Sequence, residues 1–295
     1  MRKATGLWLV TGVMFVAGMV MAEEAKLADG APTAEAMGWR LGCQAYSFNR
    51  FTFFEAVDKT AAVGLKWIEA YPGQRLSKDL PENVVFDHNM SADVQKQVLD
   101  YLASKGVKLS AYGVVNLPKE EAESRKVFDF AKAMGIGIIV SEPLPSALPM
   151  IDNLCKEYGI KVAIHNHPKP SKYYDYKTLL DAVKSVSPNI GACCDTGHWP
   201  RSGIDPVEAV KAVGDAGRII AFHFKDLNEF GNRDAHDVVW GNGVCKVKEM
   251  LSYLKEKNIQ AHFSIEYEYN WDNSLPEIAE CVKAFETMAK ELSGK

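Results

Sequence analysis

Residues 160–167 read IKVAIHNH, an apolar run of strand length that ends in two imidazoles and an amide. The same design recurs as IGACCDTGH at residues 190–198 and as IIAFHFKD at residues 219–226. Each run is followed by a loop and then by an amphipathic stretch that ends near Gly or Asn. Strands that alternate with helices in this way predict a parallel sheet covered by helices.

Eight such strand–helix units fill residues 39–292. The predicted strands span residues 40–46, 66–70, 108–114, 136–140, 160–164, 190–194, 218–224 and 259–265. The predicted helices span residues 53–63, 91–104, 120–134, 147–158, 176–186, 206–213, 246–257 and 276–292. In the second of these helices, Ser91 is the expected N-cap and Gly106 the expected stop.

Eight units at this length predict a closed (β/α)8 TIM barrel, an α/β fold that forms a single domain over residues 39–295. An open doubly wound sheet is the alternative. That fold requires a glycine fingerprint after the first strand, where this chain instead has QAYS at residues 44–47. The barrel is therefore the expected architecture.

The first 22 residues differ in character from the barrel repeat. Arg2 and Lys3 precede an uncharged, largely apolar run over residues 4–22, which ends before Glu23. This pattern predicts a secretory signal peptide over residues 1–22, and hence an exported protein, periplasmic or extracellular, with no stable membrane anchor. A retained N-terminal anchor is the alternative. Residues 23–38 are polar and rich in Ala, which predicts a loose lead-in to the barrel.

The composition indicates a globular protein with a mildly acidic balance. Hydrophobic residues make up 47% of the chain, charged residues make up 24%, and the formal net charge is −4. Such a chain has no electrostatic reason to bind nucleic acid or anionic lipid, so a small molecule is the expected partner, and a homodimer remains open. The six Cys residues include no Cys-x-x-Cys pair, so we expect buried small hydrophobes without a structural disulfide.

Titratable residues gather where the later strands end. Active sites of (β/α)8 barrels are built at these C-terminal strand ends. The first charged or imidazole residues after the last four apolar runs, which we expect at a similar height, are His165, Asp195, His223 and Glu266. Further residues of this kind at strand ends are Glu69, Glu142, His167, His198, Lys225 and Glu268. His167, Lys225 and Glu268 lie two positions further along and therefore one layer higher.

Two imidazoles and two carboxylates at one height predict a site for one divalent metal ion. This donor set suits Zn²⁺, Mn²⁺, Co²⁺ or Fe²⁺, whereas Mg²⁺ and Ca²⁺ prefer shells of oxygen. Simpler explanations exist for single residues. A strand-end His often only forms hydrogen bonds, Asp195 could cap the next turn, and Lys225 could form a salt bridge with Asp226 or Glu268. The convergence of four such residues on adjacent strands favours the metal site.

The chain resembles the xylose isomerase-like TIM barrel superfamily, the sugar phosphate isomerase/epimerase group, over almost all of residues 39–292. The motifs that carry the resemblance are IHNH at residues 164–167, DTGH at 195–198, HFKD at 223–226, GNG at 241–243 and SIEYE at 264–268. In that family Glu, Asp, His and Glu from strands five to eight hold one divalent ion. The resemblance implies that these ligands are His165, Asp195, His223 and Glu266 here, and that His198 contacts the substrate.

One departure from the family pattern bears on mechanism. The strand-five ligand of the family is usually Glu, and here it is His165, while a further family Glu falls at Ser171. The family's epimerases exchange protons between two opposed metal-bound carboxylates, so this chain lacks one of the two. A one-base mechanism is therefore easier to support. The zinc endonucleases that share this barrel need several metals and a basic surface, which this acidic chain lacks.

The leading expectation is a metal-dependent isomerase or epimerase that forms an enediolate beside the carbonyl of a non-phosphorylated sugar. Glu266 is the first candidate base, and the candidates for the opposite proton transfer are Glu142, His198 and Lys225. The alternatives are a lyase or hydratase that acts by β-elimination on a 3-keto-glycoside, and a non-catalytic sugar-binding barrel. The residues expected to contact the substrate are His167, His198, Glu69, Trp199, Trp240 and Glu268. Further aromatic candidates to stack on a sugar ring are Tyr46 and Trp271.

Overall fold

The computed structural model describes residues 26–294 and contains a closed barrel of eight parallel strands. Each strand pairs with its neighbours in the sequence, and the first strand closes the barrel by pairing with the eighth. The predicted (β/α)8 architecture is confirmed. The predicted signal peptide lies outside the described residues. Within residues 26–294, no helix combines the length and the apolar character that a membrane span requires.

The barrel strands are, from the first to the eighth, Trp39–Gln44, Trp67–Ala70, Lys108–Tyr112, Ile138–Ser141, Lys161–His165, Ile190–Asp195, Ile219–Phe224 and Ala261–Ile265. The predicted strands matched these apart from shifts of a residue or two at their ends. The register places His223 opposite Asp195 on one side and opposite Ser264 on the other. The ends of the last three strands therefore lie at one height, as the predicted metal site requires.

One helix follows each strand. These helices are Phe53–Ala62, Ala92–Ser104, Glu121–Ala133, Leu148–Tyr158, Tyr176–Ala182, Pro206–Asp215, Val247–Glu256 and Leu275–Ser293. Ser91 is the N-cap of the second helix, as predicted, and accepts from the Val94 backbone N–H. Thr52 and Glu55 form a reciprocal capping box at the first helix, an arrangement in which the cap contributes about 1 kcal/mol.

Several shorter elements lie outside the strand–helix repeat. A helical turn, His198–Arg201, follows the sixth strand, and 3-10 turns span Ala45–Phe48 and Pro145–Ala147. Gln74–Arg75 and Val85–Phe86 form a small antiparallel ribbon that the sequence analysis did not predict.

The expectation of a loose lead-in is wrong for its described part, residues 26–38. Pro32–Ala36 is a short helix, and Ala34 is fully buried. The backbone N–H groups of Thr33 and Ala34 donate to the Glu286 carboxylate on the last helix, at 2.9 and 3.3 Å. A carboxylate at a helix start satisfies amides that have no partner within the helix. This interaction attaches the segment to the barrel.

Apolar side chains pack on both sides of the barrel strands and form two clusters. The larger one lies between the sheet and the outer helices and includes Phe222 stacked on Phe263 at 4.7 Å. The smaller one lies inside the barrel and contains Ala163, Cys193 and Ala221. These three precede His165, Asp195 and His223 by two positions, so their side chains share the inward side of the sheet. Small residues at this level leave room above for the imidazoles. All six cysteines are buried free thiols.

Candidate metal centre

Four side chains from the last four strands converge at the C-terminal mouth of the barrel. His165, Asp195, His223 and Glu266 offer ligand atoms that all lie within 4.8 Å of one another. His165 Nε2 lies 3.5 Å from Asp195 Oδ2, and His223 Nδ1 lies 3.0 Å from Glu266 Oε2. All four residues are buried. The structure therefore brings together the four residues that the sequence analysis selected as metal ligands.

The residues between the ligands hold the strand ends in place. Asn166 accepts from the Asp195 backbone N–H at 2.8 Å and donates to the Asp195 carbonyl at 3.0 Å. Thr196 bridges to the backbone of Lys225 in the same way, at 2.8 and 2.9 Å. A Cβ at Gly197 would lie 2.7 Å from Lys225 Cδ, so glycine is needed for this close approach. The motif residues thus tie the fifth, sixth and seventh strands together.

Asp195 combines the two roles that were considered for it. Its Oδ1 atom accepts from the backbone N–H groups of Gly197 at 2.9 Å and His198 at 2.6 Å, so it caps the next turn. Its Oδ2 atom faces inward toward His165 and Lys225. One oxygen fixes the side chain and leaves the other available to a ligand.

Each of the two histidines is backed by a carboxylate. Glu142 lies 3.2 Å from His165 Nδ1, and Glu69 lies 3.0 Å from His223 Nε2. The opposite ring nitrogens, His165 Nε2 and His223 Nδ1, are buried and have no hydrogen-bond partner among the described residues. A carboxylate behind a histidine keeps the proton on the near nitrogen and leaves the lone pair of the far one for a metal. This arrangement fits a divalent ion between the four side chains.

The pKa values of both histidines follow from these contacts. Burial alone would lower the pKa of His165, but the nearby carboxylates of Asp195 and Glu142 outweigh it and raise the pKa. Burial likewise acts against the charged form of His223, and the neighbouring Cys193, Glu266 and Glu69 raise its pKa well above the ordinary value. Without a cation in the centre, protons on these imidazoles compensate the surrounding carboxylates.

Lys225 is fully buried and serves as a counterion. Its Nζ lies 2.7 Å from Asp195 Oδ2, contacts Glu266 Oε2 and lies 3.4 Å from Glu268. Burial lowers the pKa of Lys225, but these carboxylates raise it well above the ordinary value, so the side chain is an ammonium. The depressed pKa that a basic Lys225 would require is absent from this arrangement.

The salt-bridge alternative for Lys225 is correct for Glu268 and wrong for Asp226. The Asp226 carboxylate instead accepts from the backbone N–H groups of Gly241 at 2.8 Å, Gly243 at 3.0 Å and Cys245 at 2.9 Å. A Cβ at Gly243 would collide with the Asp226 carboxylate. Asp226 therefore anchors the GNG loop.

Arg201 and Asp237 belong to the centre although the sequence analysis did not select them. Arg201 donates to Glu268 at 3.0 Å and to Asp237 at 3.2 Å. Burial raises the pKa of Asp237 to about 7. The carboxylates of Asp195, Glu266 and Glu268 outnumber the two cations, Lys225 and Arg201, that contact them. When both imidazoles are neutral, this excess of negative charge favours a bound cation.

His198 is a neutral hydrogen-bond donor. Arg201 lies 3.1 Å from His198 Nδ1, and because a guanidinium can only donate, Nδ1 must accept and Nε2 carries the proton. Burial lowers the pKa of His198 well below its ordinary value, in agreement with the neutral form. His198 Nε2 points toward Asp195 Oδ2 at 3.6 Å. The Nε2–H group of His198 therefore lies beside the candidate metal centre.

A cavity of about 380 Å³ lies above the four ligands. Its lining residues are Gln44, Tyr46, Tyr71, Pro72, Gly113, Val114, His167, His198, Glu266 and Glu268. Tyr46 contacts Tyr71 and Trp271 edge to face, with ring centroids 5.1 and 5.7 Å apart. The cavity therefore has a polar wall beside the candidate metal centre and an aromatic wall opposite.

The family model described as xylose isomerase-like TIM barrel matches residues 57–288. The chain belongs to this family. An inosose isomerase from Halalkalibacterium halodurans is 28% identical over 165 residues, which are 49% of this chain and 57% of that protein. The chain thus matches little more than half the length of this curated relative.

Two solved structures illustrate the likeness of this xylose isomerase-like barrel to known folds. A protein from Parabacteroides distasonis ATCC 8503 without an assigned function is 32% identical, with a TM-score of 0.67 over 84% of this chain and 98% of that one. An IolI protein with a bound zinc atom is 16% identical, with a TM-score of 0.62 over 86% and 97% of the two chains. At 16% identity the second likeness shows the fold alone.

Several residues expected to contact the substrate lie elsewhere in this xylose isomerase-like barrel. Glu69 is fully buried behind His223, and both of its oxygens are engaged, one by His223 and the other by Ser264. Trp199 and Trp240 are buried in the apolar core and do not line the cavity. Trp240 packs on Phe224 at 4.9 Å. Their assignment as substrate contacts is wrong, because apolar packing outweighs exposure for a tryptophan that can reach the core.

Glu142 is also occupied by the protein. Its Oε1 atom accepts from His165 and from the His167 backbone N–H, and its Oε2 atom accepts from Ser171 at 2.8 Å. Burial alone would raise the pKa of Glu142, but His165 and His167 hold it well below the ordinary value. An ionised carboxylate committed to two histidines is a positioning group and not the expected proton donor. Ser171, at the position of the missing family Glu, supports it.

Arg201 could have been found from the sequence and Asp237 could not. Arg201 follows His198 by three positions, which places both on one side of a helical turn. Asp237 lies in the long segment between the seventh strand and its helix, where no periodicity predicts the path of the chain. An isolated bridge between Leu227 and Asp237 brings it back to the barrel mouth.

Proposed function

We propose that the protein is a divalent-metal-dependent isomerase or epimerase that acts on a non-phosphorylated carbohydrate. The observation that carries the proposal is the buried quartet of His165, Asp195, His223 and Glu266. In it, one imidazole nitrogen of each histidine has no hydrogen-bond partner and faces the two carboxylates. The inosose isomerase relative supports an isomerase, and the zinc of the IolI protein supports a metal in this fold. Zn²⁺, Mn²⁺, Co²⁺ or Fe²⁺ suits these donors better than Mg²⁺.

The proposed ligands are His165, Asp195, His223 and Glu266. A bound metal would supply Lewis-acid stabilisation of the negative charge that develops when a carbon beside a carbonyl loses a proton. Glu266 lines the cavity and is the proposed base that accepts this proton. His198 would donate its Nε2–H to a substrate oxygen.

The geometry favours an isomerase over a two-base epimerase. Glu266 is a carboxylate that both belongs to the quartet and lines the cavity, whereas Glu142 is engaged by His165 and His167. One base that takes a proton and returns it to the neighbouring carbon accounts for isomerisation. Inversion at one carbon would need a second group that transfers a proton on the opposite face, and Glu142 is not free to supply it.

The substrate is proposed to carry no phosphate. The cavity lining contains no Lys or Arg, and the two nearest cations, Lys225 and Arg201, are engaged by carboxylates. A phosphate at this site would therefore meet no free side-chain cation, only the proposed metal ion. The aromatic wall at Tyr46 and Tyr71 suits the apolar face of a sugar ring.

A lyase that acts on a 3-keto-glycoside is the second candidate, because loss of a β-substituent also needs only one base at the cavity. Glu266, which lines the cavity, would take the proton beside the carbonyl, the electron pair would form a carbon–carbon double bond, and the C–O bond at the β-carbon would break. Glu266 would then pass the same proton to the leaving oxygen. One carboxylate would thus act first as base and then as acid.

Deuterium exchange tests the proposal. Metal-loaded protein is incubated with free ketoses and with 3-keto-glycosides in D2O, and deuterium uptake and products are followed by NMR. We expect deuterium at the carbon beside the carbonyl, lost in His165→Ala and on metal removal. An isomeric sugar indicates the first candidate, and a released aglycone indicates the second. If no exchange occurs and the affinity for sugar is unchanged after metal removal, the protein is a non-catalytic sugar-binding barrel and the proposed enzyme activity is refuted.

We also propose that the chain is exported to the periplasm or the extracellular space, with residues 1–22 removed. The support is the sequence pattern of these residues. Fractionation of producing cells and N-terminal sequencing of the mature protein test this. Recovery of the full-length chain from the membrane fraction would instead support a retained anchor.

A further inference from the structure

We infer that a hydrogen-bonded column beneath the candidate metal centre orients His223, with His262 and Ser264 as positioning residues. The column descends from His223 through Glu69, Ser264 and His262 to Ser110, and all five side chains are buried. The inference rests on the proposed function, because it concerns affinity for the proposed metal ion. It adds Ser264, which is in register with His223, and His262, which lies one layer lower, to the determinants of that affinity.

The contacts form an unbroken chain. His223 Nε2 lies 3.0 Å from Glu69 Oε1, and the Ser264 hydroxyl donates to Glu69 Oε2 at 2.5 Å. His262 Nε2 lies 3.0 Å from Ser264 Oγ and 3.0 Å from Ser110 Oγ. Both oxygens of Glu69 are thus engaged, one by the candidate metal ligand and one by the column below.

The protons of this chain can be assigned one by one. Ser264 gives its proton to Glu69, so its oxygen can only accept from His262, and His262 Nε2 carries a proton. Ser110 gives its own proton to the Ile68 carbonyl and therefore also accepts from His262. Burial lowers the pKa of His262 to about 4, which keeps the ring neutral. The direction of donation runs upward from His262 to Glu69.

The upper end of the column determines which nitrogen of His223 faces the quartet. Glu69 accepts from Nε2, so once the ring is neutral its Nδ1 lone pair is the one that faces Glu266. If Glu69 could turn, the imidazole could rotate or change tautomer and present an N–H to the ion. Ser264 prevents this turn, and His262 in turn holds Ser264.

The column departs from the usual interior of this fold. The inside of a (β/α)8 barrel is ordinarily filled by branched apolar side chains. Buried polar groups destabilise a fold unless each is satisfied, and even satisfied networks gain little over apolar packing. Fold stability alone therefore gives no reason for the column. Its presence directly behind one candidate ligand of the quartet is the reason to assign it a role in metal binding.

Two serine variants of the column separate positioning from packing. Ser264→Ala removes the donor to Glu69, whereas Ser110→Ala removes a side acceptor of His262 and leaves Glu69 held. Metal affinity is measured by chelator competition on the full chain with Zn²⁺ and with Co²⁺. We expect Ser264→Ala to weaken binding about 10-fold and Ser110→Ala to change it by less than about 2-fold. Wild-type affinity in Ser264→Ala, or equal losses in both variants, would overturn the inference.

The lower histidine provides an independent test. His262→Gln can retain an N–H donor near the position of Nε2, whereas His262→Leu removes it. We expect His262→Leu to weaken Co²⁺ binding several-fold and to shift the visible absorption bands of the bound ion, with His262→Gln close to wild type. Thermal unfolding reports whether each variant is folded. If His262→Leu does not fold, the comparison of Ser264→Ala with Ser110→Ala tests the inference. A wild-type protein that binds no metal refutes the proposed function, whereas tight binding insensitive to Ser264 and His262 refutes the column alone.

Discussion

His165 and His223 are held by the same kind of partner in two different surroundings. Glu142, behind His165, is partly exposed and shared with His167 and Ser171. Glu69, behind His223, is completely buried and continues into the column inside the barrel. Water can replace Glu142 as the hydrogen-bond partner of His165, but it cannot reach the buried Glu69 behind His223. Loss of the carboxylate is therefore expected to cost more metal affinity at His223 than at His165.

The largest effect is expected on the buried side. Glu69→Ala should weaken metal binding by about 100-fold, the upper end for loss of a partner behind a metal-bound histidine, because nothing replaces the lost acceptor. Glu69→Gln keeps an oxygen for His223 and serves as the matched control, with a smaller loss. The measurement is chelator competition on folded protein. Binding in Glu69→Ala as tight as in wild type would remove the role assigned to Glu69.

A smaller effect is expected on the exposed side. Glu142→Ala should weaken metal binding by about 10-fold, because solvent can take over the hydrogen bond of His165. Ser171→Ala, which removes one contact of Glu142, should be milder still. The same competition assay compares these variants with Glu69→Ala. If Glu142→Ala loses as much affinity as Glu69→Ala, the difference between the two surroundings has no energetic consequence.

Metal binding should strengthen as the pH rises. The folded-state pKa values of His165 and His223 are raised, so in the metal-free protein their protonated forms stabilise the fold below about pH 6.5, and this contribution is lost as the pH rises through the raised values. A metal needs the neutral rings and must displace these protons. We expect proton release on binding at pH 7, measured by calorimetry in buffers of different ionisation enthalpy.

A variant of Glu142 sharpens the pH comparison. Glu142→Gln removes one of the two carboxylates, Asp195 and Glu142, that raise the pKa of His165 and should reduce the protons released at pH 7. The same calorimetry measures this change. Affinity independent of pH between 6 and 8 in the wild-type protein would contradict the assignment of both histidines as ligands.

The smallest effect is expected at the aromatic wall above the centre. Tyr46 is exposed and is not one of the four proposed metal ligands, so Tyr46→Ala should leave metal affinity unchanged and raise KM for a sugar several-fold through lost stacking. Steady-state kinetics on the substrate found by deuterium exchange measure this. An unchanged KM would show that the sugar ring does not stack on Tyr46.

The fold and the quartet could be predicted from the sequence because both depend on local periodicity. Each strand ends where its apolar run ends, and parallel strands bring those ends to one edge, so His165, Asp195, His223 and Glu266 could be placed together without a structure. The direction of a side chain beyond the strand end could not be predicted. Trp199 and Trp240 turned into the core, and Glu69 turned behind His223, because packing and hydrogen bonding with distant strands decide such orientations.

Charge networks between distant segments were also out of reach. Arg201, Asp237 and Glu268 meet only because the segment after the seventh strand folds back over the barrel mouth. The packing of residues 26–38 depends on Glu286, more than 240 positions away. Pairings at such sequence separation leave no trace in one chain's periodicity.

Metal stoichiometry tests the central claim most directly. Purified wild-type protein and the variants His223→Ala and Ser110→Ala are loaded with Zn²⁺ or Mn²⁺, desalted and analysed for metal by mass spectrometry. We expect close to one ion per chain in the wild-type protein and in Ser110→Ala, and a large loss in His223→Ala. A wild-type protein that retains no ion, or a His223→Ala variant that retains as much as the wild type, would contradict it.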